Sequence, residues 1–247
     1  MKTAEQPRKV LITGGTGSVG KALVEAFAAT RASVWFQYCN DAATAKKLQA
    51  DFGANPIQLN FTKSFILPAI DFDIVVNNAG INISDVPAHE VTVDAWNQTL
   101  QVNLTAPFQL LKQCLPSMVR NRWGRVINIS SIYGIRAVEG NFPYTVSKHG
   151  LCGLTKTIAK EYAPHGITCN EICPGPIDSD MMREIGSKAV ANTPKSLNDY
   201  LDEVSEEVPA KRMARPQEIA ALAVFLASQE AGYINGASIP VDGALIA

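Results

Sequence analysis

The chain has 247 residues, enough to bury a full core as one large α/β domain or two small ones. Its 47% hydrophobic and 18% charged residues and net charge of −1 select neither nucleic acid nor an anionic membrane as partner. No apolar run reaches the ~18 residues of a membrane span. The polar start from Met1 to Lys9 carries no secretory signal, so a cytoplasmic protein is expected.

Five cysteines (Cys39, Cys114, Cys152, Cys169, Cys173) are scattered and form no C-x-x-C pair. Neither a zinc site nor a disulfide framework is expected from them. His89, His149 and His165 stand far apart and suggest no metal cluster.

Val10-Leu11-Ile12 reads as a first strand, followed by Thr13-Gly14-Gly15-Thr16-Gly17-Ser18-Val19-Gly20 and a helical pattern from Lys21 to Thr30. Strand, glycine-rich turn, helix is the order that aims backbone N–H groups and a helix N-terminus at a phosphate. Gly15-x-Gly17-x-x-Gly20 also meets the dinucleotide fingerprint. The second strand, Ser33 to Tyr38, ends in Gln37, Tyr38, Cys39 and Asn40 rather than in the acid that binds a bare adenosine ribose; Asp41 comes slightly late. No arginine replaces that acid, so NADP(H) is favoured only mildly over NAD(H).

A helix is expected from Ala42 to Asp51 and strands over Pro56–Phe61 and Phe72–Val76, the latter running into Asn77-Asn78-Ala79-Gly80. Pro68 stunts any helix between these strands. Thr92, with Asp94 in the first turn, is a plausible N-cap for a long helix from Val93 toward Arg120, kinked or broken by Pro107 and Pro116. Val126–Ile129 is a buried strand that delivers Ser130 and Ser131 at its carboxyl end, the edge where open α/β sheets bind ligands.

Pro143 precedes a helix from about Tyr144 to Tyr162, with Tyr144 and Lys148 four apart on one face. An ammonium beside a phenol favours the phenolate and lowers its pKa, which suits proton exchange. Tyr-x-x-x-Lys on its own is equally a helix with one aromatic and one solvated lysine. A sixth strand spans Gly166–Ile172, and Pro174-Gly175-Pro176-Ile177 leaves the sheet. Residues 178–211 have mixed charge and weak periodicity, reading as a mobile lid or as a solvated excursion. A helix from Gln217 to Ser228 and a strand from Ser238 to Val241 close a βαβ alternation without repeat or linker. One doubly wound α/β domain of the Rossmann type is expected over residues 1–247, a mostly parallel sheet of about seven strands with helices on both faces.

Thr13-Gly14…Gly20, Asn77-Asn78-Ala79-Gly80, Asn103, Ser131, Tyr144-x-x-x-Lys148 and Pro174-Gly175 together resemble the single-domain short-chain dehydrogenase/reductases, from about Lys9 to Gly243. The layout looks most like the 3-oxoacyl-thioester (acyl-carrier-protein) reductases. The resemblance implies Tyr144 as general acid/base and Lys148 as the residue that lowers its pKa and holds the nicotinamide ribose. It implies Ser131 as the residue orienting the substrate oxygen and Asn103 as support for a water-linked proton relay. The dinucleotide contacts it implies are Gly14, Thr16, Gly17, Ser18, Val19, Gly20, Tyr38, Asn60, Phe61, Asn77, Asn78, Ala79, Gly80, Tyr144, Lys148, Pro174, Gly175, Ile177 and Ser179. No metal is implied.

Two departures bear on the adenosine pocket: Ser18 where the single-domain branch has glycine, and Asn60 where it commonly has aspartate. The segment from Thr62 to Asp71 also trims a helix the family usually keeps. The expected reaction interconverts a ketone and a secondary alcohol, with a 3-oxoacyl thioester as the candidate substrate that the resemblance implies. An NAD-dependent alcohol dehydrogenase, a sugar-nucleotide epimerase and a catalytically silent dinucleotide sensor are the competing readings. Arg136, His89, Trp123 and Arg183 are substrate-contact candidates that read equally well as surface residues. Family members commonly form tetramers through the two long helices, so a homotetramer is expected.

Overall fold

A computed structural model describes residues 7–247; the polar start expected over Met1–Lys9 falls mostly outside the described residues. Seven strands form one parallel sheet: β1 (Lys9–Ile12), β2 (Ser33–Tyr38), β3 (Asn55–Gln58), β4 (Ile74–Asn77), β5 (Gly124–Ile129), β6 (Ile167–Pro174) and β7 (Ser238–Val241). Their spatial order is β3-β2-β1-β4-β5-β6-β7, so the winding reverses between β1 and β4. Ligands in such sheets bind at that reversal, outside the strands' carboxyl ends. The α/β expectation is met.

Strand alternation builds a core on each face. Val10, Ile12, Ile74, Val76, Ile127 and Ile129 point to one side, against α1 (Ser18–Ala29), α2 (Ala42–Phe52) and α8 (Pro216–Ala227). Leu11, Val75, Val126 and Cys169 point to the other, against α4 (Ala106–Asn121) and α5 (Phe142–Tyr162). Among the described residues no helix is long and apolar enough to cross a membrane.

Thr92 caps α3 (Val93–Leu100), its Oγ1 accepting from the Ala95 N–H at 3.1 Å. The break expected from the prolines does not occur. A π-turn, Gln101–Thr105, joins α3 to α4 instead. Pro107 stands in the first turn of α4, where its missing N–H falls opposite the wide turn; Pro116 lies inside α4 without ending it. Pro143 likewise lies within the first turn of α5, where a proline is tolerated, rather than before the helix.

The third strand ends earlier than expected because Asn60 turns the chain, its Oδ1 accepting from the Thr62 N–H at 2.9 Å. The excursion over 178–211 is not irregular: it folds into α6 (Asp180–Val190) and α7 (Leu197–Glu207). Its periodicity is faint because Gly186 and Leu201 alone are fully buried in those helices. Its base is pinned where Ile177 bridges Ala214, with the Asp178 N–H donating to the Ala214 carbonyl at 2.9 Å.

Asp41 caps α2, its Oδ1 accepting from the Thr44 N–H at 3.0 Å, and this bond holds its carboxyl below the usual range. Asp41→Ala should remove this cap and lower the denaturant midpoint of unfolding. An unchanged midpoint would mean the cap contributes nothing.

Candidate active site

The glycine-rich turn is shaped by contacts that a side chain would break. Gly14 has φ +63°, and a Cβ on Gly20 would lie 2.0 Å from the Gly14 carbonyl oxygen. Gly17 stands at the N-cap of α1 with no side-chain cap, and no acid occupies the helix's first turn. Those N–H groups and the positive helix end remain available to an anion, so the turn fits a pyrophosphate.

Gln37 braces this turn, a role its sequence position did not signal. Its Oε1 accepts from the Gly14 N–H at 2.9 Å, its Nε2 donates to the Leu59 carbonyl at 2.6 Å, and its own carbonyl accepts from Gly15. From the other side Thr13 Oγ1 accepts from the N–H groups of Asn78 and Ala79, both at 2.9 Å. Asn78 returns its Nδ2 to the Thr13 carbonyl at 2.9 Å. Asn77 is buried, donating to Asn128 Oδ1 at 2.7 Å, so its side chain holds β4 to β5.

Ser18 does not cap α1. Its hydroxyl donates to Asp180 Oδ2 at 2.8 Å and accepts from the Asp180 N–H at 3.0 Å, with Lys21 Nζ 3.7 Å from the same carboxylate. The residue that departs from the family's glycine thus ties α1 to α6. Thr16 and Val19 are partly open beside it. Tyr38 leans on Phe36 at 6.5 Å, and the Phe61 ring is buried against Phe65 at 4.7 Å. Pro174 ends β6, and Gly175 is pressed against Asp242, where a Cβ would come within 2.9 Å. Ile177 lies at the base of the 178–211 excursion and Ser179 caps α6, accepting from the Met182 N–H at 3.2 Å.

Asn103, Ser131, Tyr144 and Lys148 converge beyond the carboxyl ends of β4 and β5. Ser131 is buried directly after β5, and its Oγ accepts from the Tyr133 N–H at 3.1 Å. Tyr144 stands in the first turn of α5 and keeps part of its surface open. Lys148 is 3% exposed; its Nζ lies 5.4 Å from the Tyr144 ring centroid and donates to the Ile129 carbonyl at 2.9 Å. Asn103 sits in the π-turn, where Oδ1 accepts from the Ile81 N–H at 2.8 Å and Nδ2 donates to the Ile81 carbonyl at 2.9 Å. A Cβ on Gly80 would lie 3.6 Å from both Asn103 Oδ1 and Lys148 Nζ, so the Asn77–Gly80 segment passes between them.

Ser147 completes the group and was not singled out from sequence. Fully buried, it accepts from Asn103 Nδ2 at 3.0 Å and donates to the Tyr144 carbonyl at 2.7 Å. Its place inside Tyr-x-x-x-Lys was the available signal.

Burial outweighs what a neighbouring ammonium can do for the Tyr144 phenol and pushes it up to about 12, the Ser131 hydroxyl opposing and Tyr133 adding. Burial also pulls Lys148 down to about 8, against Cys173 and Glu171. Desolvation outweighs the attraction of a cation some 5.4 Å from the ring centre.

The other substrate-contact candidates are not gathered here. Trp123 precedes β5 at the opposite sheet edge, stacked between Arg8 at 4.0 Å and Arg125 at 4.5 Å. Arg183 pairs with Asp178 at 2.5 Å, and His89 is exposed beside Glu90. Arg136 is exposed.

A family model described as enoyl-(acyl carrier protein) reductase matches residues 14–245. The uncharacterized oxidoreductase YxjF of Bacillus subtilis (strain 168) is 36% identical over 252 residues, covering 94% of this chain and 96% of that protein. An acetoacetyl-CoA reductase of Shinella zoogloeoides is 35% identical over 245 residues, covering 96% and 97% respectively. The crystal structure of a variant actinorhodin polyketide ketoreductase with NADPH matches at TM-score 0.89 and 26% identity over 98% of each chain. With the converging site and these full-length likenesses together, the chain belongs to the short-chain dehydrogenase/reductase family of oxidoreductases.

Proposed function

We propose that this protein reduces the ketone of an acyl thioester to a secondary alcohol at the expense of NADPH. The observation that carries the reading is the convergence of Asn103, Ser131, Tyr144 and Lys148 on one edge of the sheet. The similarity to an acetoacetyl-CoA reductase and to a ketoreductase that binds NADPH supports the substrate class and the cofactor. NADPH over NADH is further supported at the end of β2, where Gln37, Tyr38, Cys39 and Asn40 stand in place of the acid that binds a bare ribose and Asp41 is engaged as a helix cap.

The turn from Gly14 to Gly20 would hold the pyrophosphate and Lys148 the nicotinamide ribose. The reduced nicotinamide supplies the hydride when bound. Ser131 orients the carbonyl oxygen, and Tyr144 donates a proton to it. A phenol near 12 is ionised in only about one molecule in 10⁵ at pH 7. The phenol is therefore poised as an acid, which is the form reduction requires. Lys148 stabilises the phenolate left behind, and Asn103, held by Ile81 and Ser147, fixes the floor beside it. Helices α6 and α7 act as a lid over this edge. Exposed Val93, Phe108 and Phe142 on α3, α4 and α5 support assembly into a homotetramer.

Tyr144→Phe should lower kcat for ketone reduction by at least about a hundredfold, while the Kd for NADPH, read by fluorescence, stays within about twofold. Retained turnover would refute the proton-donor role. Comparing pH profiles tests the poise of the phenol. Alcohol oxidation needs the phenolate, so its rate should climb with pH from 7 toward 10, whereas ketone reduction should be level or fall. Parallel profiles in the two directions would contradict it. Asp180 competes with a phosphate for Ser18 and Lys21, so Asp180→Asn should tighten NADPH about two- to fivefold, the scale of an exposed ion contact. Weaker binding would mean that Asp180 assists the cofactor instead.

A further inference from the structure

Tyr133 follows Ser131 by two residues, in the short turn Ile132–Gly134 after β5. Its N–H donates to Ser131 Oγ at 3.1 Å, which occupies a lone pair of that oxygen and leaves the Ser131 O–H to a substrate. The turn lies flat on α5. A Cβ on Gly134 would stand 2.6 Å from Ser130 Oγ and 3.0 Å from the Lys148 carbonyl oxygen, so only glycine lets it approach so closely. The Tyr133 ring is thereby held edge-on to the Tyr144 ring, with centroids 6.5 Å apart and planes at 89°.

Tyr133 is half-buried, and among the described residues no protein group hydrogen-bonds its hydroxyl. A phenol drawn out of water ordinarily finds a partner for its O–H. Burial raises this phenol, with Arg136 opposing and Glu207 and Asp85 adding, so it stays a neutral donor at physiological pH. A donor without a protein acceptor thus stands beside the reacting phenol of Tyr144. A 3-oxoacyl thioester brings two acceptors to such a place: its ketone and, one methylene away, its thioester carbonyl.

We propose that Tyr133 is a specificity-determining residue: while Ser131 and Tyr144 engage the ketone oxygen, the Tyr133 hydroxyl donates to the thioester carbonyl oxygen of the same substrate. The two phenols then read the spacing of the two carbonyls, and the bond from the Tyr133 N–H to Ser131 keeps the donors in register. A plain ketone has no second acceptor. Its reduction leaves the Tyr133 hydroxyl unpaired, the penalty that any site built to hydrogen-bond imposes on an analogue lacking the group. Tyr133 passes no proton to the ketone, a task that stays with Tyr144. The role rests on the thioester reading above.

The test compares kcat/KM at saturating NADPH for two ketones, in wild-type protein and in Tyr133→Phe. One ketone is the 3-oxobutanoyl thioester of N-acetylcysteamine, and the other is the same chain with a methylene in place of the thioester carbonyl. Tyr133→Phe keeps the ring against Tyr144 and removes only the donor. It should lower kcat/KM for the thioester by about five- to tenfold and leave the plain ketone within about twofold. Both substrates meet the same preparation, so any loss of folded enzyme cancels from the ratio, and a purely structural role would not move it. An unchanged ratio, whether both rates fall together or neither falls, overturns the proposal. Wild-type protein that leaves the thioester unreduced refutes the thioester reading and this role with it. A wild-type preference for the thioester that survives in Tyr133→Phe refutes this role alone.

Discussion

The ammonium of Lys148, 3% exposed and bonded to the Ile129 carbonyl, is the constraint around which the reaction edge is built. Holding it charged at pH 7 costs about 3 kcal/mol relative to the unfolded chain, from its fall to about 8. The sign follows from that depression. The unfolded chain binds the proton more tightly, so the cost is present in full below pH 8 and fades as pH rises toward the ordinary lysine value. A cost of that size persists in a marginally stable fold only where the surroundings force it. Here a 21-residue helix, packed along β6 and started with a proline in its first turn, carries Lys148 into the sheet edge.

The supporting parts are backbone devices more than side-chain pairs. A π-turn lets Asn103 bind Ile81 through both its oxygen and its nitrogen. A turn that needs glycine at Gly14 and Gly20 lets the chain close on itself, and Gln37 from β2 and Asn78 after β4 fasten it from the two neighbouring strands. The same economy explains Ser18. A hydroxyl in place of hydrogen at the mouth of the turn reaches Asp180, so α6 is tied to the glycine-rich turn.

Much of this was legible in the residues. Strands such as Ser33–Tyr38 and Ser238–Val241 have the expected bounds, because short apolar runs between turn residues leave little freedom. Asn103, Ser131, Tyr144 and Lys148, singled out through the resemblance rather than through Tyr-x-x-x-Lys alone, do lie together at one edge of the sheet. Helices α6 and α7 were not legible, since Gly186 and Leu201 give almost no apolar stripe. Gln37 escaped because its partners are 22 to 23 residues away, and Ser147 because the Asn103 amide that it receives is 44 residues away. The high phenol of Tyr144 escaped because burial is a tertiary quantity, while the Lys148 spacing that argued for a low one is local.

The central claim is that this edge passes a hydride directly to a ketone carbon while a protein phenol protonates the oxygen. The most direct measurement is label transfer from NADPH deuterated at the nicotinamide C4, with a simple 3-oxoacyl thioester as acceptor, followed by NMR of the alcohol. The account predicts one deuteron on the carbinol carbon, transferred from one face of the nicotinamide and delivered to one face of the ketone. Turnover that leaves the carbinol carbon unlabelled, or labelled from solvent, would contradict it.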